Sequence, residues 1–231
     1  MQEFLEMLLK LLGGLGSTAI LFATTLVLAL PLGLLVSFLS KSKIKWIKAI
    51  TRFFISIIRG TPLMLQLIIV FYGPALIFGM GHGFKEISLF GIYIPRSERM
   101  LAAIVAFTIN YAAYFSEIFR GGIESIPKGQ YEAGKVLGLK KWQIFKNIVL
   151  VQVIKNIVPP IGNEIITLVK DTSLANIISV YELTFIANSI RNSTGSGILP
   201  LVAAGVFYYV FNAIVAFVLR KVEKKLEYIK V

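Results

Sequence analysis

Cysteine is absent from the 231 residues, and histidine occurs once, as His82. The first absence excludes disulfides, a thiolate nucleophile and cysteine-ligated metal. One histidine without cysteine argues against a zinc site or a catalytic triad, since such groups come in clusters. The Gly-rich run "GGLGST" at 13–18 has no lysine and opens an apolar run instead of following a strand, so it is not a phosphate loop. It reads as a place of close helix packing or a soft helix start. If the protein uses ATP, another subunit must bind it. A basic leader is lacking too. Residues 1–12, "MQEFLEMLLKLL", carry two Glu and no basic n-region. They read as a short amphipathic helix at a membrane interface.

Charge is scarce at 16%, while hydrophobic residues make up 56% and the mean hydropathy is +0.78. A soluble fold has no room to hide so much apolar surface. Five runs approach the ~20 residues that cross a bilayer as helix. They fall at about 15–40, 50–78, 99–120, 148–170 and 198–220. The net charge of +12 is distributed unevenly. Lys41, Lys43, Lys45, Lys48 and Arg52, then the basic residues of 120–147, then those of the tail from Arg220, fall on one side. Lys10, Lys85, Arg96, Arg99, Lys170 and Arg191 fall on the other. Sixteen against six puts the N-terminus outside and the C-terminus in the cytoplasm.

Between spans 3 and 4 the chain leaves its apolar pattern for "SIPKGQYEAGKVLGL" at 125–139. Ser125 is a candidate cap, and Pro127 suits a first helical turn. Glu132, Ala133, Lys135, Val136 and Leu137 favour helix, and Gly138 ends or bends it. Ala133 and Gly134 leave one side nearly bare, so a partner surface could approach closely. An amphipathic loop on the membrane surface remains the other reading.

The pattern Glu132-Ala133-Gly134, three residues, Gly138, nine residues, Ile148-Val149-Leu150 resembles the EAA loop of ABC importer permeases. Gly134 stands where a second Ala is usual, and Val151 where Pro commonly follows. "RGTPLMLQL" at 59–67, "YAAYFSEIFRGGIESIPKGQYEA" at 111–133 and "PPIGNEIITLVKDTSL" at 159–174 resemble the polar amino-acid branch of that family. The resemblance implies an all-α, polytopic fold with a five-helix core, and a coupling helix that docks on an ATPase. Gln130, Glu132, Ala133, Gly134, Leu137 and Gly138 would make that contact. It further implies two permease subunits, two cytoplasmic ATP-binding subunits carrying ATP and Mg, and an extracytoplasmic solute-binding protein.

Polar residues inside the spans mark a candidate solute path. Pro159 and Pro160 fall near the middle of span 4, and a broken helix there would free backbone groups for binding. Pro160, Glu164, Thr167 and Asp171 share one helix face, and Asn163 borders it. Glu164 reads as the anionic partner of a cationic solute group, or as a protonated carboxyl bonded across helices. In span 3, Asn110, Tyr114 and Glu117 share a face, with Tyr111 beside them. Glu117 can pair with Arg120 at i+3. In span 2, Gly60 and Pro62 disturb the helix, and Thr61 and Gln66 add hydrogen-bonding groups. Arg59 reads as structural or gating. Asn110, Asn163 and freed backbone N–H groups are expected to hold a carboxylate.

The resulting expectation is one transmembrane permease domain over 1–231, with an amphipathic segment 1–14 and a cytoplasmic coupling loop 121–147. The protein would be a multi-pass subunit of the cell membrane, paired with a second copy, and would import amino acids, basic ones by preference. It would not be an enzyme. The rivals are an ion- or proton-coupled secondary transporter, with Glu164 and Glu117 as proton carriers, and a membrane scaffold.

Overall fold

The computed structural model describes residues 2–79, 87–89, 92–94 and 97–227. His82 lies outside them. Among the described residues four helices are long and apolar enough to cross a membrane, and counting one bent pair as a span gives five. α1 (Gln2–Ser40) leads to α2 (Lys45–Gly60) and α3 (Leu63–Phe78). A small antiparallel hairpin follows, β1 (Ile87–Leu89) with β2 (Ile92–Ile94), in which Ser88 faces Tyr93. Next come α4 (Ser97–Glu124), α5 (Lys128–Val136) and α6 (Lys141–Ile144). A π-helical turn, Phe145–Val149, joins α6 to α7 (Leu150–Asp171), and a 3-10 turn, Thr172–Ile178, extends α7. α8 (Leu183–Thr194) and α9 (Leu199–Glu227) complete the order.

α1 runs 39 residues without a break. At 1.5 Å per residue that is about 58 Å, well beyond the ~30 Å hydrocarbon core. The amphipathic N-terminal segment is thus the first turns of the same helix as span 1. Span 2, in contrast, is two helices: α2 and α3 meet at 108°. Pro62 causes this, because it lacks an N–H and drives the residue before it out of the helical region. Thr61 accordingly has φ −120°, ψ 146°. The expected break in span 4 is absent. α7 passes through Pro159 and Pro160 as continuous helix, and the departures from α geometry lie at its two ends.

α4 is the most buried of the spans and α9 the least. The core gathers around α4, with Ala102, Ala106, Phe107, Tyr111 and Phe115 packed by Leu21 and Ala29 of α1 and by Leu67 and Phe71 of α3. Small residues let the backbones approach, as is usual where lipid supplies no hydrophobic drive between helices. A Cβ on Gly33 would lie 2.8 Å from Phe115 Cβ and 3.0 Å from the Ala112 carbonyl oxygen. Gly14, from the "GGLGST" run, meets the Leu183 backbone in the same way. Glu182, fully buried, caps α8 by accepting from the N–H groups of Thr184 and Phe185, both at 2.7 Å, and it also accepts from the Tyr208 hydroxyl. Large apolar side chains on α1, α2 and α9 are exposed. In water this would be a liability; facing lipid or a second subunit it is the expected surface.

Gly33→Val should therefore part α1 from α4, at a cost of about 2 kcal/mol or more. The expected result is a lower melting temperature in detergent. An unchanged melting temperature would show that this crossing does not hold the bundle together.

Candidate functional site

The polar side chains of α4 face three different partners. Asn110 is 4% exposed, and its Nδ2 donates to Gln66 Oε1 at 2.9 Å. The Gln66 Nε2 in turn donates to the carbonyls of Ile58 (2.8 Å) and Thr61 (3.2 Å) and to Thr61 Oγ1 (2.9 Å). The Thr61 hydroxyl donates to the Ile57 carbonyl at 2.9 Å. Carbonyls freed by Pro62 are thus satisfied by one amide side chain, which α4 anchors through Asn110. Buried backbone acceptors need such partners, above all away from water.

One residue on, Tyr111 is buried, and its hydroxyl donates to Asp171 Oδ2 at 2.7 Å. Asp171 ends α7 on the face that also carries Pro160, Glu164 and Thr167. Glu164 is half-buried and has no hydrogen bond or ion pair among the described residues. Asn163 and Thr167 are exposed, and the Thr167 hydroxyl donates to the Asn163 carbonyl at 3.0 Å.

Lower on α4, Glu117 is gripped by Arg120, whose Nε and Nη2 donate at 3.0 and 2.6 Å. The i+3 spacing makes this fork possible. Arg120 also donates to Glu124 at 2.6 Å, and Lys41 lies 3.6 Å from Glu124. Arg59 approaches Glu117 at a looser 3.6 Å and stands over the Tyr114 ring, 5.2 Å from its centroid. These groups border a cleft of about 380 Å³ lined by Arg52, Ile55, Ser56, Arg59, Glu117 and Arg120.

The polar loop is a helix, as its composition leads one to expect, but its faces are arranged differently. Pro127, not Ser125, occupies the N-cap position. Ser125 Oγ instead accepts from Asn156 Nδ2 at 2.8 Å, tying the loop to α7. Gly138 has φ +72° and follows the last helical turn. Leu139 N–H donates to the Gly134 carbonyl (3.0 Å) and Gly138 N–H to that of Lys135 (2.9 Å), the two bonds of a Schellman stop. Gly134 does not offer a bare outer face. It is buried, and a Cβ there would meet Ile144 Cγ1 at 2.7 Å. Its small size serves the close contact of α5 with α6. Gln130 is half-buried, whereas Glu132, Ala133, Leu137 and Gly138 are exposed. The outward apolar groups are Val136 and Leu137, at 88% and 75% exposure.

A family model described as the inner membrane component of binding-protein-dependent transport systems matches residues 12–228. The chain belongs to this family. An arginine transport system permease protein of Bacillus subtilis (strain 168), ArtQ, is 35% identical over 94% of this chain and 92% of its own length. A putative glutamine transport system permease protein of Rickettsia bellii, GlnP, is 31% identical, covering 87% and 85%. A solved structure described as an amino acid ABC transporter with histidines superposes with a TM-score of 0.83, at 29% identity over 97% of both chains. The permease is a transport subunit of an ABC importer and a multi-pass inner membrane protein. The ion-coupled reading is not favoured by these relatives.

Gln66 was legible only as one more polar group near Pro62, and nothing in a linear pattern joins it to Asn110 some forty residues on. Gln66→Leu leaves two carbonyls and the Asn110 amide without this partner, so it should cost the permease about 3 kcal/mol. Gln66→Glu should rescue little, because a carboxylate has no N–H to donate. Thermal melting in detergent reads both variants, and a neutral Gln66→Glu would contradict the donor role.

Proposed function

We propose that the permease carries polar amino acids inward by alternating access, with a preference for basic ones. Two copies would form the path, two cytoplasmic ATPases would power it, and an extracytoplasmic solute-binding protein would deliver the solute. The N-terminus faces outside and the C-terminus the cytoplasm, on the strength of the basic loops.

The observation that carries this reading is Glu164, a half-buried carboxylate on the polar face of α7 without a hydrogen-bond partner among the described residues. A charge at such depth is costly unless something pairs with it. An ammonium or guanidinium of the solute is such a partner. Support for the solute class comes from the relatives, which include permeases for arginine, glutamine and nopaline transport. Asn163 and Thr167 are exposed beside Glu164 and are available to the same solute. Asn110, Tyr111, Thr61 and Glu117 are held by partners within the chain, so their part is to shape the path. Tyr114, under Arg59, lines its wall.

Proteoliposomes holding the permease with its co-purifying ATPase should take up labelled arginine only when ATP is trapped on the ATPase side. Lysine and histidine should compete better than glutamate. Glu164→Gln should weaken arginine uptake about tenfold or more, as expected for a lost charge-assisted contact, and glutamine uptake less. Equal losses for both solutes would mean that Glu164 reads only the α-amine, or nothing.

Coupling to the ATPase is assigned to the exposed edge of α5, with Val136 and Leu137 as apolar knobs flanked by Glu132 and Ala133. Leu137→Asp should abolish co-purification of the ATPase while the permease remains monodisperse. Gly134→Asp is a poorer probe, because it strikes Ile144 within the chain. Retention of the ATPase by Leu137→Asp would remove this edge from the contact.

A further inference from the structure

An amino acid brings a carboxylate as well as a cation into the membrane. Of the donors expected to receive that carboxylate, Asn163 is exposed beside Glu164 but is a neutral amide, and the others are committed elsewhere. The Asn110 amide donates to Gln66, and its residue is 4% exposed. α7 continues through Pro159 and Pro160, so no broken end offers N–H groups there. A solute seated with its cation at Glu164 would then place its negative charge where these donors supply no cation, which is unfavourable away from water.

Arg59 answers this need. It lies 3.6 Å from Glu117 and stands over Tyr114, whose ring adjoins that of Tyr111, the partner of Asp171 on the face of α7 that carries Glu164. It is loosely held: its nearest carboxylate oxygen is 3.6 Å away, beyond a hydrogen bond, and 42% of its side chain is exposed. The cation–π contact to Tyr114 steadies the guanidinium but supplies no oxygen acceptor. Arg120, the other candidate, is committed through short bonds to Glu117 and Glu124. The cleft that Arg59 borders carries three arginines against one carboxylate, so it favours an anionic group.

We propose that Arg59 receives the α-carboxylate of the solute, and that Glu117 stands in that place when no solute is bound. The exchange strands no charge, since Glu117 keeps its two bonds to Arg120. The planar fork of Arg59 suits a carboxylate. This inference rests on the solute reading above, and it adds a second pole to it: Glu164 selects the cation, Arg59 the carboxylate.

The test uses the purified permease–ATPase complex without its solute-binding protein, so that only the membrane site discriminates. Labelled arginine is displaced by unlabelled arginine or by agmatine, its decarboxylated counterpart. The wild-type complex should prefer arginine about tenfold or more, the worth of a charge-assisted pair. In Arg59→Gln the preference should fall towards one, and Arg59→Lys should restore part of it. Glu117→Gln should tighten arginine binding by removing the competitor. An undiminished arginine-to-agmatine ratio in Arg59→Gln overturns the proposal and leaves Arg59 a structural anchor. If Arg59→Gln does not assemble, Glu117→Gln decides, and an arginine-to-agmatine ratio no higher than wild type there overturns it equally. ATP-driven uptake without arginine binding to the wild-type complex overturns this inference alone. Absence of both uptake and binding overturns the solute reading and takes this one with it.

Discussion

A helix can be interrupted away from water only if something replaces the hydrogen bonds it gives up. In this permease most of the replacement comes from one side chain, and the Thr61 hydroxyl adds a bond to the Ile57 carbonyl. Gln66 bridges the carbonyls at the end of α2, and Asn110 of α4 holds Gln66 in place. The 108° turn between α2 and α3 depends on that arrangement. The turn sets the last residues of α2 against α4, and this brings Arg59 to Tyr114 and Glu117. A straight span would carry Arg59 along its own axis and away from both. The polar centre is therefore built from a backbone defect outward, with the charged groups placed by the repair.

Much of the fold could be read from hydropathy alone, because lipid-spanning helices must be long, apolar and internally bonded. The all-helical, membrane-spanning character of the chain and the helix at 128–136 follow from such local rules. Local rules misjudge the prolines. Pro159 and Pro160 lie inside a helix whose neighbours hold it, while Pro62 combines with Gly60 and an extended Thr61 to end one. Proline cost is the same in both places; what differs is whether packing favours continuation, and that is a tertiary fact. The polar face of α7 is legible for the opposite reason, since i, i+3, i+4 spacing fixes it whatever the surroundings. The destination of each α4 side chain is not legible, because the partners of Asn110, Tyr111 and Arg59 come from other elements.

Gly134 illustrates how a correct motif can carry a wrong physical reason. A small residue in the polar helix reads as room for a partner. The room is used by Ile144, which with Ile126, Val149 and Val153 forms a compact apolar cluster under α5. Together with the Ser125–Asn156 bond, this cluster fastens α5 to the base of α7. A push on α5 is thus delivered to the helix that bears Glu164, with little slack between them.

The π-helical turn at Phe145–Val149 adds one residue to that connection without lengthening the rod by a full α turn. One residue corresponds to about 100° of rotation about a helix axis. The turn therefore works as a phase adjuster. It lets Ile144 point into the cluster beneath α5 while Glu164, Thr167 and Asp171 point towards the polar side of the bundle. If it rewound to regular α-helix, the two ends of the rod would fall out of register, and a motion at α5 would arrive at the wrong face.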